Sequence, residues 1–439
     1  MQEALAIFFQ LIKNWYWVVL PYLFKKNFLF HVRFWRIIHW LKTKYKPRLL
    51  EIKFPREIKK PIRTMENVFA GIHAIFFKEP DWWEKWVEGD PAPYSFSLEC
   101  VSHEGDVHFF LRCHEEFIPS LKNAIYAQYP EIELEEVDDY IKCVPPDLPK
   151  KGWGFWGCMY RMAKPDPYPI RTYEDFETER EKEKKEVVDP MVHLIEALAG
   201  VQKGEYMWLQ LWAKPIGGTL ATAFKNEAKE IRDALAKRQK PKTKSFLSEI
   251  FAPFEFVLEG IWHVIYWLIH QEYPKAAAPA TPSPILFPPE LRLTPGEKMI
   301  LERVEKKMQK PVFQCFIRYL FFGKEGFYNK AKLRLIFNYF NSFTSEDGNA
   351  LYPTLTAKIK KHWFLPVNLF REKRLYMRNR RLFRYYLSRD NHFFPADDPP
   401  KYRTSFILST EELATLFHPI PWELVPAAPI KWVETKKLP

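Results

Sequence analysis

The chain has 439 residues, 47% hydrophobic and 17% aromatic, with 37 Pro against 15 Gly; this excludes a largely disordered polymer and leaves room for two or three folded domains. The net charge of +12 is uneven: residues 1–48 carry nine Lys/Arg against Glu3, and residues 371–389 carry eight against Glu372, leaving about −3 for the rest. A uniformly basic surface is thereby excluded, and the cations belong to two patches.

Residues 4–24 (ALAIFFQLIKNWYWVVLPYLF) reach the length of a bilayer span but contain Gln10, Lys13 and Asn14. No signal-peptide pattern is present. After Lys25 and Lys26 comes a basic amphipathic stretch with Arg33, Trp35, Arg36 and Trp40. Cations and indole rings at this spacing suit an anionic lipid surface, as do Trp15 and Trp17 in the first stretch. The alternative is a buried helical hairpin. On the membrane reading, the positive flank holds the bulk of the chain in the cytoplasm. Cys100, Cys113, Cys143, Cys158 and Cys315 are odd in number with no C-x-x-C, so neither a disulfide framework nor a zinc site is expected, and a reducing compartment fits.

LLEIKFP reads as a strand. A helix follows from about Pro61, with Met65, Val68, Phe69 and Ile72 on one face. WWEKWVEGDPAP is an aromatic loop. The stretch 94–140 spells a complete unit: alternation through Ser97, Leu98 and Glu99, turn chemistry at His103–Asp106, and a second strand to Arg112. A helix with Phe117, Leu121 and Ile125 follows, stopped by Pro130, and then a strand with Ile132 and Leu134. Further strands are expected around Trp153–Tyr160 and across EYMWLQLWAKP, separated by a helix that Asp189 caps and Pro190 opens.

Residues 216–293 break this rhythm. A Lys/Ala/Glu-rich helix leads to an apolar stretch (250–269) carrying Glu255, Glu259 and His263 four apart, then a Pro/Ala linker. Such a trio suits either a metal or, more simply, the wet face of a docking helix. Thr294–Glu297 is a capping box; the strand PVFQCFIRYLFF and a helix over 326–343 follow it. Residues 371–389 form a basic aromatic helix. A second capping box, Ser409–Glu412, opens TEELATLFH.

The fold class expected is α+β: two ferredoxin-like portions behind an N-terminal membrane-associated helical region. The divisions are 1–48, 49–215, 216–293, 294–403 and 404–439. GVQKGEY, IGGTLATAF and FFGKEGFYN lack the spacing of a phosphate-binding loop. No nucleophile, metalloprotease or Cys/His pattern occurs either. No enzyme activity and no cofactor are expected.

Five phrases carry a resemblance: LLEIKFPREIKKPIRTMENVFAG, SFSLECVSHEGDVHFFLRC, IYAQYPEIELEEVDDY, DPMVHLIEALAGVQKGEYMWLQLWAKP and FILSTEELATLFHPIP. Together they resemble an uncharacterised membrane-associated family of candidate-phylum bacteria. That family is similar to the region preceding the motor in conjugation-type and FtsK/HerA-like DNA-translocating ATPases. The resemblance covers roughly 49–215, 294–343 and 404–439; residues 216–293 depart from it. It implies a motor-less subunit of a type IV secretion or conjugation-like machine, paired with a separately encoded hexameric ATPase. Thr410–His418 matches the connector into the motor, so Glu411, Glu412, Leu413, Leu416 and Phe417 become candidates for docking that partner. Other expected partners are membrane lipid, DNA and a second copy of the chain. From the residues alone, Arg374, Arg378, Arg380, Arg381 and Arg384 with Tyr376, Phe383, Tyr385 and Tyr386 suit single-stranded nucleic acid. An anionic lipid or acidic protein surface is the competing partner for this helix.

Overall fold

The structure is a computed structural model. It describes residues 28–58, 60–177, 189–237, 294–345, 347–354, 370–389, 405–426, 428–430 and 432. Residues 28–43 are helical (α1), so the stretch 4–24 and the trio Glu255, Glu259 and His263 lie outside the described residues.

Next come β1 (Pro47–Lys53), α2 (Arg63–Phe76), β2 (Phe96–His103), β3 (Asp106–His114), α3 (Ile118–Gln128) and β4 (Glu133–Val137). The predicted elements of this region form because their signals are local. Met65, Val68, Phe69 and Ile72 are all buried on one side of α2. The β2–β3 turn places Glu104 and Gly105 at φ 56° and 107°, the two left-handed residues that a two-residue hairpin needs. The chain continues with β5 (Trp153–Met162), α4 (Pro190–Ala199) and β6 (Glu205–Pro215). The Asp189 side chain accepts from Met191 N–H at the start of α4, as expected of its cap.

Helix α5 (Gly218–Lys237) opens the departure from the rhythm and α6 (Pro295–Gln309) follows it, and residues 225–305 form a compact unit of their own. Glu297 Oε2 accepts from Thr294 N–H at 2.8 Å, closing the predicted capping box. Then come β7 (Val312–Lys324), α7 (Leu335–Ser342), β8 (Leu351–Thr354), α8 (Arg371–Ser388), β9 (Phe406–Ser409) and α9 (Thr410–Leu416). The helix expected over 326–343 is shorter, a 3-10 turn at Lys330–Arg334 running into α7.

The strands make one antiparallel sheet in the order β4-β1-β3-β2-β6-β7-β5-β8, with β9 beside β7. This order contains a repeat. Both β1-α2-β2-β3-α3-β4 and β5-α4-β6-β7-α7-β8 place their strands fourth, first, third, second. The two halves meet edge to edge at β2 and β6, paired from Phe96↔Ala213 to His103↔Tyr206. Residues 216–311 are an insertion between the second and third strands of the second half. The expected boundary between 49–215 and 294–403 falls inside the second copy of the repeat, whose strands β5 and β6 both pair with β7.

Strand alternation gives the sheet two covered faces. Leu98, Cys100, Leu209, Leu211, Ile317 and Tyr319 face a core with α2, α3, α4, α7 and α9. Val101, Trp208, Leu320 and Phe322 face a second core, closed by Phe383 and Tyr386 of α8.

Shortly before β7, Lys307 makes a buried ion pair with α9. Lys307 Nζ lies 3.0 Å from Glu412 Oε2, the two side chains 2% and 0% exposed, and also donates to the carbonyls of Asp166 and Ile407. Glu412 meanwhile accepts from Ser409 N–H at 2.7 Å and Ile170 N–H at 3.0 Å. Replacing Lys307 by Met strands that carboxylate, at a cost of about 3–5 kcal/mol. Lys307→Met should therefore lower the urea midpoint sharply, and Lys307→Met/Glu412→Gln should recover part of the loss.

Candidate functional site

The basic helix is positioned by its apolar stripe. Asn379, Leu382, Phe383 and Tyr386 recur at helical spacing and are buried. Phe383 packs on Phe155 and Phe322, and Tyr386 on Trp208. The same spacing turns Arg371, Lys373, Arg374, Arg378, Arg381 and Arg384 outward, with Tyr376 and Met377 43% and 56% exposed.

Beneath α8 a polar row crosses the middle of the sheet. Glu99 on β2, Gln210 on β6 and Arg318 on β7 are direct cross-strand partners. Gln210 donates to Glu99 at 2.9 Å, and Arg318 donates to Gln210 and to the Tyr385 carbonyl, each at 2.8 Å. Arg389, just past α8, completes the row. Its guanidinium grips both oxygens of Glu99 at 2.7 and 2.8 Å and both oxygens of Asp139 at 2.5 and 3.0 Å. Tyr140 donates to Glu99 at 2.6 Å and meets the Tyr386 hydroxyl at 2.9 Å. Ser97 donates to Glu99 at 2.8 Å.

Burial alone would raise the Glu99 carboxyl. The Arg389 charge, with hydrogen bonds from Arg389, Tyr140 and Gln210, reverses this and holds it at about 2. Glu99 is thus an enclosed, ionised, fully engaged carboxylate, and the row clamps α8 in place. An acid–base group needs a proton to exchange with substrate, and nothing in this row has solvent on one side. His103 nearby is pushed down to about 4, by burial first and by His108 second, and stays neutral.

Several predicted site residues fall elsewhere. Trp15, Trp17, Lys25 and Lys26 lie outside the described residues. Trp35 and Arg36 are exposed and Arg33 is half-buried. Trp40 is only 6% exposed, packed on Tyr45, Tyr94 and His114, so it anchors α1 to the fold instead of facing lipid. Among the nucleic-acid candidates Arg374, Arg378, Arg381 and Arg384 are exposed and Arg380 and Tyr385 half-buried; the Arg381 guanidinium lies against the Tyr385 ring. Phe383 and Tyr386 are fully buried, which removes them as stacking platforms for bases.

Glu411, Glu412, Leu413, Leu416 and Phe417, expected to dock a partner, are interior. Glu411 pairs with Lys310 at 2.7 Å, and the apolar three fill the core against the sheet. Their capping box forms as predicted, but the helix it starts closes this chain's own fold. Among the described residues no group of His, Cys, Asp and Glu is arranged to hold a metal ion. Cys100 and Cys113 are free and buried, not opposite one another across the hairpin. A void of about 10 Å³ between sheet and helices is lined by Leu98, Leu209, Ile317, Phe340 and other apolar residues, room for about one water and no ligand.

No family model matches this sequence, and no curated protein matches it.

The clamp has a pH signature. A carboxyl held below its unfolded value stabilises the fold above that value and loses the contribution as pH falls toward its folded one. Stability carried by Glu99 should be complete above about pH 4.5 and decline toward about pH 2. Urea midpoints over this range should fall less steeply in Glu99→Gln. Arg389→Met should cost about 3–5 kcal/mol at neutral pH, because it leaves Glu99 buried without its cation.

Proposed function

We propose that this chain is a non-enzymatic, membrane-anchored scaffold of a type IV secretion or conjugation-like DNA-transfer machine. Its paired halves, read as two ferredoxin-like portions, present a rigid sheet to a separately encoded FtsK/HerA-type hexameric ATPase. One observation carries the membrane part. Helix α1 buries Ile37 and Trp40 against the fold while Phe28, His31, Trp35, Arg36, His39 and Lys42 are exposed, directly after the apolar sequence 4–24. Rings and cations on the outward side of a helix suit a headgroup layer, where the ring body is apolar and the charge stays wet. No described helix is long and apolar enough to cross a membrane, so the anchoring assigned to 4–24 rests on sequence.

The machine and its motor rest on the resemblance of the five quoted phrases. Because Glu411–Phe417 are buried, the docking surface in this proposal is an outward face of the sheet domain. In fractionated cells the full chain should sediment with membranes at low ionic strength, and gentle solubilisation should bring down a FtsK/HerA-type ATPase. Recovery of the chain in the soluble fraction would overturn the anchor. A membrane preparation that repeatedly lacks the ATPase would overturn the motor partnership.

A second reading is favoured by the outward stripe of α8, which offers Arg371, Lys373, Arg374, Arg381 and Arg384 beside Tyr376. Arginines neutralise phosphates, and an exposed ring stacks an unpaired base. If about four phosphates of single-stranded DNA are engaged, affinity should drop about 50-fold between 50 and 200 mM salt. Arg374→Glu/Arg381→Glu should abolish the binding. Salt-insensitive anisotropy, or none, would remove DNA as a ligand of this helix.

A further inference from the structure

Two tryptophans outside α1 are more exposed than tryptophan ordinarily is: Trp82 at 68% and Trp83 at 58%, adjacent in the loop between α2 and β2. We infer that Trp82 and Trp83 form a second contact with the anionic bilayer surface, beside the exposed stripe of α1, so that the sheet domain is held on lipid at two places. The inference rests on the membrane reading of α1 and adds to it an element that the N-terminal sequence does not contain.

The loop is fixed against α1. Gly89 adopts φ +78°, and a Cβ there would lie 2.5 Å from the Arg36 carbonyl carbon and oxygen; backbone meets backbone at this point. Only glycine allows both that φ and that approach. Lys44 near the end of α1 bonds Glu88 at 3.0 Å. The turn Glu84–Glu88 thus rests on the helix that carries Trp35. Phe28 and Trp35, two helical turns apart on α1, are 68% and 66% exposed.

The loop taken alone is acidic, with Glu79, Asp81, Glu84, Glu88 and Asp90 against Lys78 and Lys85, but residues 28–48 bring six Lys/Arg and no acid, so the two elements together are positive. Glu84 and Asp90 pair with Lys78 at 2.8 and 3.5 Å and Glu88 with Lys44, whereas Glu79 and Asp81 are exposed. Arg36 and Lys42 remain exposed on α1. The exposed Phe28, Trp35, Trp82 and Trp83, with the exposed Arg36 and Lys42, have the composition of an interfacial surface. Lipid is preferred to a protein because the α1 side of this surface continues directly into the apolar residues 4–24 of the sequence.

The test uses the full chain with vesicles of phosphatidylcholine and phosphatidylglycerol at 3:1. In Trp82→Cys/Cys143→Ser, residue 82 becomes the one exposed thiol among the described residues, since Cys100, Cys113, Cys158 and Cys315 are buried. An environment-sensitive fluorophore there should shift to the blue when vesicles are added and should be quenched by nitroxide-bearing lipid. Trp82→Ala/Trp83→Ala, with the native cysteines, should bind the vesicles about tenfold more weakly. If the chain sediments with vesicles while the probe stays in water, the loop contact is wrong and the anchor stands. A probe already blue-shifted without vesicles means that residues 1–27 or a second copy cover the loop, which also overturns it. A chain that does not sediment with vesicles at all overturns loop and anchor together.

Discussion

The face of the sheet that α8 covers is arranged around one buried pair, Arg389 and Glu99. They are 290 residues apart in sequence and bonded through both carboxylate oxygens. Arg389 adopts φ +52° immediately after α8, a position where glycine is favoured and where a side chain costs roughly 1–2 kcal/mol. The guanidinium it delivers offsets that strain, because Glu99 at the centre of the sheet would otherwise be a buried charge without a partner. Asp139 takes the other edge of the same guanidinium and ties in the turn after β4. A single arginine therefore joins the first half of the sheet to the helix that follows the second.

The pair lies where the two halves of the sheet meet. Pairing β2 with β6 removes one open edge from each half, and open edges invite unwanted strand addition. It also creates a surface as wide as both halves, which one helix layer covers on one side and α8 only partly covers on the other. Trp208, Phe322 and Phe383 seal the dry part of that second face, while the row Glu99–Gln210–Arg318 is admitted only because each member finds a partner there. The polar row also fixes register. Sliding β6 by one residue would turn Gln210 into the opposite core and leave Glu99 and Arg318 without the amide between them.

What the sequence disclosed was what neighbouring residues decide. The hairpin at Glu104–Gly105, the caps at Asp189, Thr294 and Ser409, and the inward stripe of α2 each depend on groups within a few positions. What it concealed was long-range pairing. Alternation identified β5, β6 and β7 as strands but does not encode that β7 lies between the other two. Ser97 and Glu99 read as the polar side of a half-buried strand, yet both are buried, with Arg389 and Tyr140 bonded to Glu99. A signal was present on β6, where Gln210 shares its side with Tyr206, Trp208 and Trp212, too apolar a neighbourhood for open water. The connector-like segment Thr410–Leu416 misled for the converse reason. Its resemblance to a connector into a motor suggested a surface, but Lys307 and Lys310, about a hundred residues earlier, pair with Glu412 and Glu411 inside the fold.

The distribution of charge separates structure from surface. Arg389 and Lys307 are cations that the fold consumes, whereas the outward arginines of α8 and the exposed Arg36 and Lys42 of α1 complete no core. Natural surfaces carry mixed charge, and here the excess positive charge is concentrated in α8 and in the N-terminal stretch that contains α1, both helices being attached to the sheet domain by their apolar sides. Helix α1 is attached through Trp40 and helix α8 through Phe383 and Tyr386, so the rings in each helix divide into those that fix it and those that face outward. This division makes an outward face chemically independent of stability: a charge reversal at Arg374 or Arg381 leaves the buried stripe intact, whereas one at Arg389 breaks the clamp. The +7 of residues 371–389 is therefore two quantities, one arginine that holds the helix and a set that the helix displays.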